Sequence, residues 1–301
     1  MSSSSDPDYA AIFQFHYVVG PALFTAVYIL LCLWFVRQSV KNTTYVYIVL
    51  TIFCLLRVAA FIIRAILAAT WSLHGKLGIF IADEILFGVG FFALLYSAYT
   101  LVLDREIMSS SRSPTRDSFP LIMRLTRDRR IFRVALIVGI ILGVNGTIDA
   151  ASSNPSKAHT GAQLRRASTI VFLVLTIIQA LQTGLAFGRS AAEGHSPSAT
   201  PLYPSPPIPL AGLHPQRRFG DMYGMHILIV ISFLLLVREI FLIATIGDAP
   251  RQNKEAFWFP FVALPEVLAA GCYSVSGLVP PRAELRMREP VAMQRIVEMD
   301  V

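Results

Sequence analysis

Long apolar runs alternate along this chain with polar stretches rich in Arg, Ser and Pro. A bilayer core about 30 Å thick is crossed by roughly 20 apolar residues wound as helix. Seven runs meet that requirement, at about 15–36, 45–71, 77–103, 131–151, 169–187, 222–246 and 256–279. The pattern predicts an all-α polytopic membrane protein. It has a short tail over 1–14, a seven-helix membrane domain over 15–279 and a second tail over 280–301. The fourth run is the least uniform, since it carries Gly139, Gly143, Asn145 and Gly146.

Composition agrees with the pattern. Hydrophobic residues make up 54% of the 301 and charged residues 15%, against about 25% charged in soluble domains. The mean hydropathy is +0.59. So few charges do not cover the core of a soluble fold of this length.

The formal net charge of +7 is distributed unevenly. Only Lys and Arg in the joining segments report orientation. With the N-terminus outside, 17 of the 26 basic residues fall in inner segments and six in outer ones. The sequence therefore predicts an outer N-terminus and a cytosolic C-terminus, in the plasma membrane or an endomembrane. The first 14 residues have no positive n-region and the first helix is followed by no small-residue cleavage site, so that helix is expected to stay as an anchor. Asn42 lies in the cytosol and Asn145 inside a span on this topology, so neither is expected to carry a glycan.

The inner segments invite two partners. Residues 104–130 carry a juxtamembrane basic cluster that, with Arg133, runs from Arg127 to Arg133 and should attract anionic inner-leaflet lipids. The bland alternative is a topology signal alone. Residues 190–218 hold seven prolines, which favour an extended linker. Pro204 to Pro207 fits a Pro-x-x-Pro docking pattern for a cytosolic partner, although a plain spacer has the same composition. Nothing in the chain suggests nucleic acid.

Ionisable residues inside a bilayer are costly and mark sites by default. Arg64 in the second span, Asp83 and Glu84 in the third, Arg238 and Glu239 in the sixth and Glu266 in the seventh fall in one layer, about 10–15 Å below the outer boundary at ~1.5 Å per residue. Arg64 should meet Asp83 or Glu84 across the short second loop. Arg57, almost two turns earlier on the same face, extends the stripe inward. Three arginines face four acids, so one carboxylate is expected to be left for a cation, an amine or a proton. Glu266 is the expected one, because Pro260 and Pro265 free backbone carbonyls and bend the helix around it. Two readings follow: a polar cavity open to the outer side, or ion pairs that only fix helix register.

Weaker signals are the Gly139-xxx-Gly143 step, which lets the fourth helix pack closely, and Asp104-Arg105 at the inner end of the third, where many seven-helix receptors keep an acid-arginine pair. Several chemistries are excluded. No lysine lies in a span, so a retinal Schiff base has no anchor. The six histidines are scattered over ends and loops, unlike a zinc site. Cys32, Cys54 and Cys272 lie in different spans, leaving no outer-loop disulfide. No phosphate loop or nucleophile elbow occurs. Neither an enzymatic activity nor a cofactor is expected.

In the last two spans Val237-Arg238-Glu239-Ile240-Phe241, then Leu264-Pro265-Glu266-Val267 and Tyr273 through Gly277-Leu278, resemble a group of uncharacterised fungal seven-helix membrane proteins. The likeness covers about 45 residues closely and the remainder through helix number and topology. More distantly the chain is similar to the fungal lipid-translocating exporters associated with aminocholesterol resistance. That resemblance implies a fungal host and a carrier of lipid or another amphipathic molecule. A receptor-like sensor signalling through the basic inner loops, and an accessory subunit of a specialised metabolic pathway, are the alternatives.

Overall fold

The computed structural model describes residues 17–70, 76–109, 128–152, 154–194 and 219–280. Helices α1 Val19–Lys41, α2 Tyr45–Ala69, α3 Leu77–Ser109, α4 Arg129–Ala150, α5 Pro155–Gly194 and α6 Phe219–Ala244 follow one another. A seventh span is built in pieces after the short helix α7, Ala249–Asn253. These are α8 Glu255–Trp258, a π-helical turn Phe259–Ala263 and α9 Leu264–Tyr273. Seven of these segments are long and apolar enough to cross a membrane, and the described residues contain no strand. The protein is an integral membrane protein of all-α class.

Consecutive helices run in opposite directions, as the short α1–α2, α2–α3 and α4–α5 connections require and as the Asp104–Arg129, Glu106–Arg189 and Arg105–Gly220 contacts show for the longer ones. The bundle end where α1 starts also holds the ends of α2, α4 and α6 and the starts of α3, α5 and the seventh span; it is called the near end below. Tyr17 at that end donates its N–H to Glu255 at 3.2 Å. Helix α3 is the axis. Its residues 93–104 are buried on every side, including Leu94, Leu95, Tyr99 and Leu101. Large apolar side chains exposed on the other helices, such as Leu30 and Leu33 on α1, Leu55 on α2, Leu181 on α5 and Phe233 on α6, face outward as lipid-bathed helices require.

Small residues let α4 and α5 touch. A side chain at Gly146 would begin 2.6 Å from the Arg165 backbone nitrogen, so α4 and α5 meet backbone to backbone there. Ser168 donates to the Gly139 carbonyl at 2.7 Å on the same seam. The glycine step therefore serves packing within the chain.

Several boundaries differ from the hydropathy pattern, α3 running on to Ser109 past the expected 103 and α5 to Gly194 past 187. Helix α5 begins at Pro155, well before the expected 169, because Asn154 accepts from the Ser156 N–H at 3.0 Å and Pro155 fits the first turn. The seventh span ends at Tyr273 rather than 279, and Ser274 to Val279 continue as turns. The expected bend at Pro260 takes the form of the π turn, in which the Leu264 N–H reaches back five residues to the Phe259 carbonyl. The N-terminal tail, most of the Pro-rich segment, the 110–127 stretch and the C-terminal tail from 281 lie outside the described residues.

Candidate functional site: a charged layer around a cavity

All seven charged residues expected from the sequence lie in one connected layer, and the structure adds an eighth. Arg64 meets Asp83 at 2.8 Å, the pairing expected across the α2–α3 connection. Glu84, one residue on, turns the other way and takes Arg165 of α5 at 2.6 Å. On the polar reading Arg165 belongs to a loop; the early start of α5 places it ten residues inside a helix. That changes the charge balance to four arginines and four acids.

The surplus carboxylate expected at Glu266 is therefore absent. Glu266 is the most heavily engaged acid of the layer. Its Oε1 accepts from Arg57 at 2.7 Å and from Arg238 at 2.6 Å. Arg238 also pairs with its neighbour Glu239. Arg57 is fully buried and donates further to the Leu86 and Phe87 carbonyls, at 3.3 and 3.0 Å. Gly90 makes room for it, since a side chain there would start 2.9 Å from the Arg57 guanidinium.

Aromatic rings close around these cations. Arg57 lies 4.5 Å from the centre of the Phe87 ring, Arg64 3.6 Å from Trp258 and Arg238 3.9 Å from Phe91. Arginine suits such sites because its flat, weakly hydrated guanidinium stacks on a ring while its edge serves carboxylates. The rings in turn form a chain from α1 to the seventh span: Phe24 on Phe61 at 5.2 Å, Phe61 on Phe87 at 5.2 Å and Phe87 on Trp258 at 4.9 Å. Breaking one pair in such a layer strands a buried charge, at a cost of about 3–5 kcal/mol.

The layer borders a void. A cavity of about 130 Å³ lies among α3, α4, α5, α6 and the α7–α8 region, with Arg64 reaching it from α2. That volume has room for several water-sized molecules. Arg64, Glu84, Arg165, Arg238 and Glu239 contribute to its wall, beside Phe87, Phe91, Phe172 and Trp258. Arg57, Asp83 and Glu266 do not line it and stand behind as supports. Gly88 of α3 lines the cavity and is exposed, with nothing within 4 Å of where a side chain would begin. Gly88 is eleven residues from the start of α3, about 16 Å along the span. The cavity thus reaches the bundle surface at mid-depth.

The other sequence signals resolve differently. Asp104 and Arg105 turn to separate partners, Asp104 to Arg129 and Arg105 to the carbonyls of Gly220, Gly277 and Leu278 at 2.7, 2.8 and 2.9 Å. Arg133 donates to the Tyr96 hydroxyl at 2.6 Å, and Arg130 is exposed. The three cysteines are free thiols. Among the described residues no three His, Cys, Asp or Glu side chains gather as a metal would need; His16, His74, His195 and His214 lie outside them.

Sequence reasoning did not find Arg165, Gly88 or Asn253. Arg165 had a signal in Asn154-Pro155, a helix-starting pair that lengthens α5 toward it. Gly88 and Asn253 had none, because a cavity is a property of packing.

Comparison with curated proteins and with solved structures finds no match. A family model covers residues 7–196, the first five spans, and so includes Arg57, Arg64, Asp83, Glu84 and Arg165. By that match, the chain belongs to the family described as Domain of unknown function (DUF7702).

Proposed function

We propose that this protein is a membrane carrier for a small amphipathic molecule, with a lipid the foremost class. The polar end of the cargo enters the charged cavity while its apolar part stays between α3 and α4 in the bilayer. One observation carries the reading: a cavity walled by ionisable side chains opens at an exposed glycine in mid-span. A register-fixing layer alone has no need of a void or of a doorway. The more distant similarity of the chain to fungal lipid-translocating exporters points the same way. On the bias of Lys and Arg between segments the near end faces outside, which puts the cavity in the outer half. The exposed Arg130 and Arg133 then sit at the cytosolic face and attract anionic lipids.

The test is transbilayer movement of fluorescent phospholipid and sterol-like probes in vesicles carrying the purified protein. Wild type is expected to accelerate movement, and Gly88→Leu, which fills the doorway without touching an ion pair, to return it to the level of empty vesicles. Absence of movement from well-folded wild type would overturn the carrier reading and leave the layer as a device that pairs helices.

A further inference from the structure

We propose that the cavity selects a zwitterionic headgroup, one molecule presenting both an anionic oxygen group and an ammonium. The inference rests on the carrier reading above and names the chemistry of its cargo. It follows from which hydrogen-bonding atoms of the wall are free and from the charge of the layer.

On the donor side, Arg238 gives Nε to Glu266 and Nη1 to Glu239, and its Nη2 has no partner among the described residues. Asn253, only 3% exposed, has an Nδ2 with no partner. Both residues line the cavity. A buried amide without an acceptor carries an uncompensated desolvation cost, which a ligand oxygen removes. The hydroxyls nearby offer no competing donor, because Ser168 donates to Gly139 and Thr169 to the Arg165 carbonyl. On the acceptor side, Glu84 is paired through Oε2 and Glu239 through Oε1, and the second oxygen of each has no partner among the described residues. Three of the four rings of the wall are already covered, Phe87 by Arg57, Trp258 by Arg64 and Phe91 by Arg238, which leaves the carboxylate oxygens as the stronger partners for an ammonium.

Charge decides between a zwitterion and a simple anion. Four arginines and four acids leave the layer formally neutral, so a ligand of net charge brings an unbalanced charge into a poorly screened site, and a zwitterion does not. This reverses the expectation of a lone carboxylate waiting for a cation.

Isothermal titration of the purified full chain in detergent tests the proposal with three probes: dihexanoylphosphatidylethanolamine, dihexanoylphosphatidylglycerol and tail-less glycerophosphoethanolamine. The ethanolamine lipid is expected to bind at least ten times more tightly than the other two. Asn253→Leu should weaken it about tenfold through loss of one hydrogen bond to a charged oxygen. Glu84→Gln should weaken the ethanolamine lipid and strengthen the glycerol lipid, an exchange of preference that misfolding does not produce. Equal or tighter binding of the glycerol lipid by wild type, or no effect of Asn253→Leu, overturns the headgroup assignment even if lipid movement is observed. Equal binding of the tail-less probe supports the zwitterion site and instead overturns the lipid carrier.

Discussion

The two ends of the bundle use charge in opposite ways. At the near end, four ion-paired arginines sit inside the span around a cavity, with Arg57 and Glu266 fully buried. At the far end, the charges tie helix termini together. Arg105 holds carbonyls at the start of α6 and beyond the end of α9, Asp104 meets Arg129, and Glu106 meets Arg189 at 2.5 Å. Gly224 is kept small there, because a side chain would run into the Arg105 guanidinium. Between the two ends lies a hydrogen-bonded patch in which Gln179 donates to Thr183 and Ser232 at 3.0 and 2.9 Å. The contrast teaches that ionisable residues in a membrane bundle divide by what lies behind them. At the helix ends Arg105 completes backbone carbonyls and the two acids each hold an arginine that is 40% exposed, whereas the most buried charges in the layer depend on one another.

The sharpest way to break this contrast is to remove its most connected member. Glu266→Gln leaves two buried arginines short of a partner and should cost about 3–5 kcal/mol, read as a large fall in melting temperature in detergent. A second substitution, Arg57→Met, should recover part of that loss if mutual dependence is the cause. Next in size is Arg105→Ala at the far end, expected to lose about 2–3 kcal/mol with its charged hydrogen bonds. Lipid-probe movement should persist in that variant, and its loss would show that the far end takes part in transport. Gly88→Leu should leave the melting temperature unchanged or raise stability by up to about 1 kcal/mol, since a helix tolerates Leu better than Gly. Probe movement should nonetheless be abolished. Smallest of all, Arg130→Ala on the exposed start of α4 should stay within about 0.5 kcal/mol of wild type.

Much of the fold is legible in the sequence because hydropathy and helix length act locally. The spans, the short α2–α3 connection and the depth of Arg64 against Asp83 all follow from counting residues. The charge inventory misleads at one place, where the stretch holding Lys157, Arg165 and Arg166 is polar enough to pass for a loop. Its helical state depends on a cap at Asn154 and on the glycine seam with α4, and the second of these is a tertiary contact. Once Arg165 is counted inside the bundle, the supposed spare acid disappears. The void is illegible for a different reason. No residue type encodes an empty space; it arises where α3, α4, α5 and α6 fail to meet, and Gly88 contributes by having no side chain at all.

The π turn at Phe259–Ala263 sets the phase between two faces of the seventh span. Its hydrogen bond closes over five residues where that of an α-helix closes over four, so the turn carries one extra residue. The segment before it, which brings Trp258 to Arg64, is therefore wound about one residue out of step with the segment after it, which brings Glu266 to Arg57 and Arg238. Deleting a single residue between 259 and 263 would allow the helix to rewind in step and swing one contact away while keeping the other. A pocket wall and its buried support are thus coupled by a rotation stored in the backbone, and a shift of that extra residue along the helix would alter the cavity without breaking an ion pair.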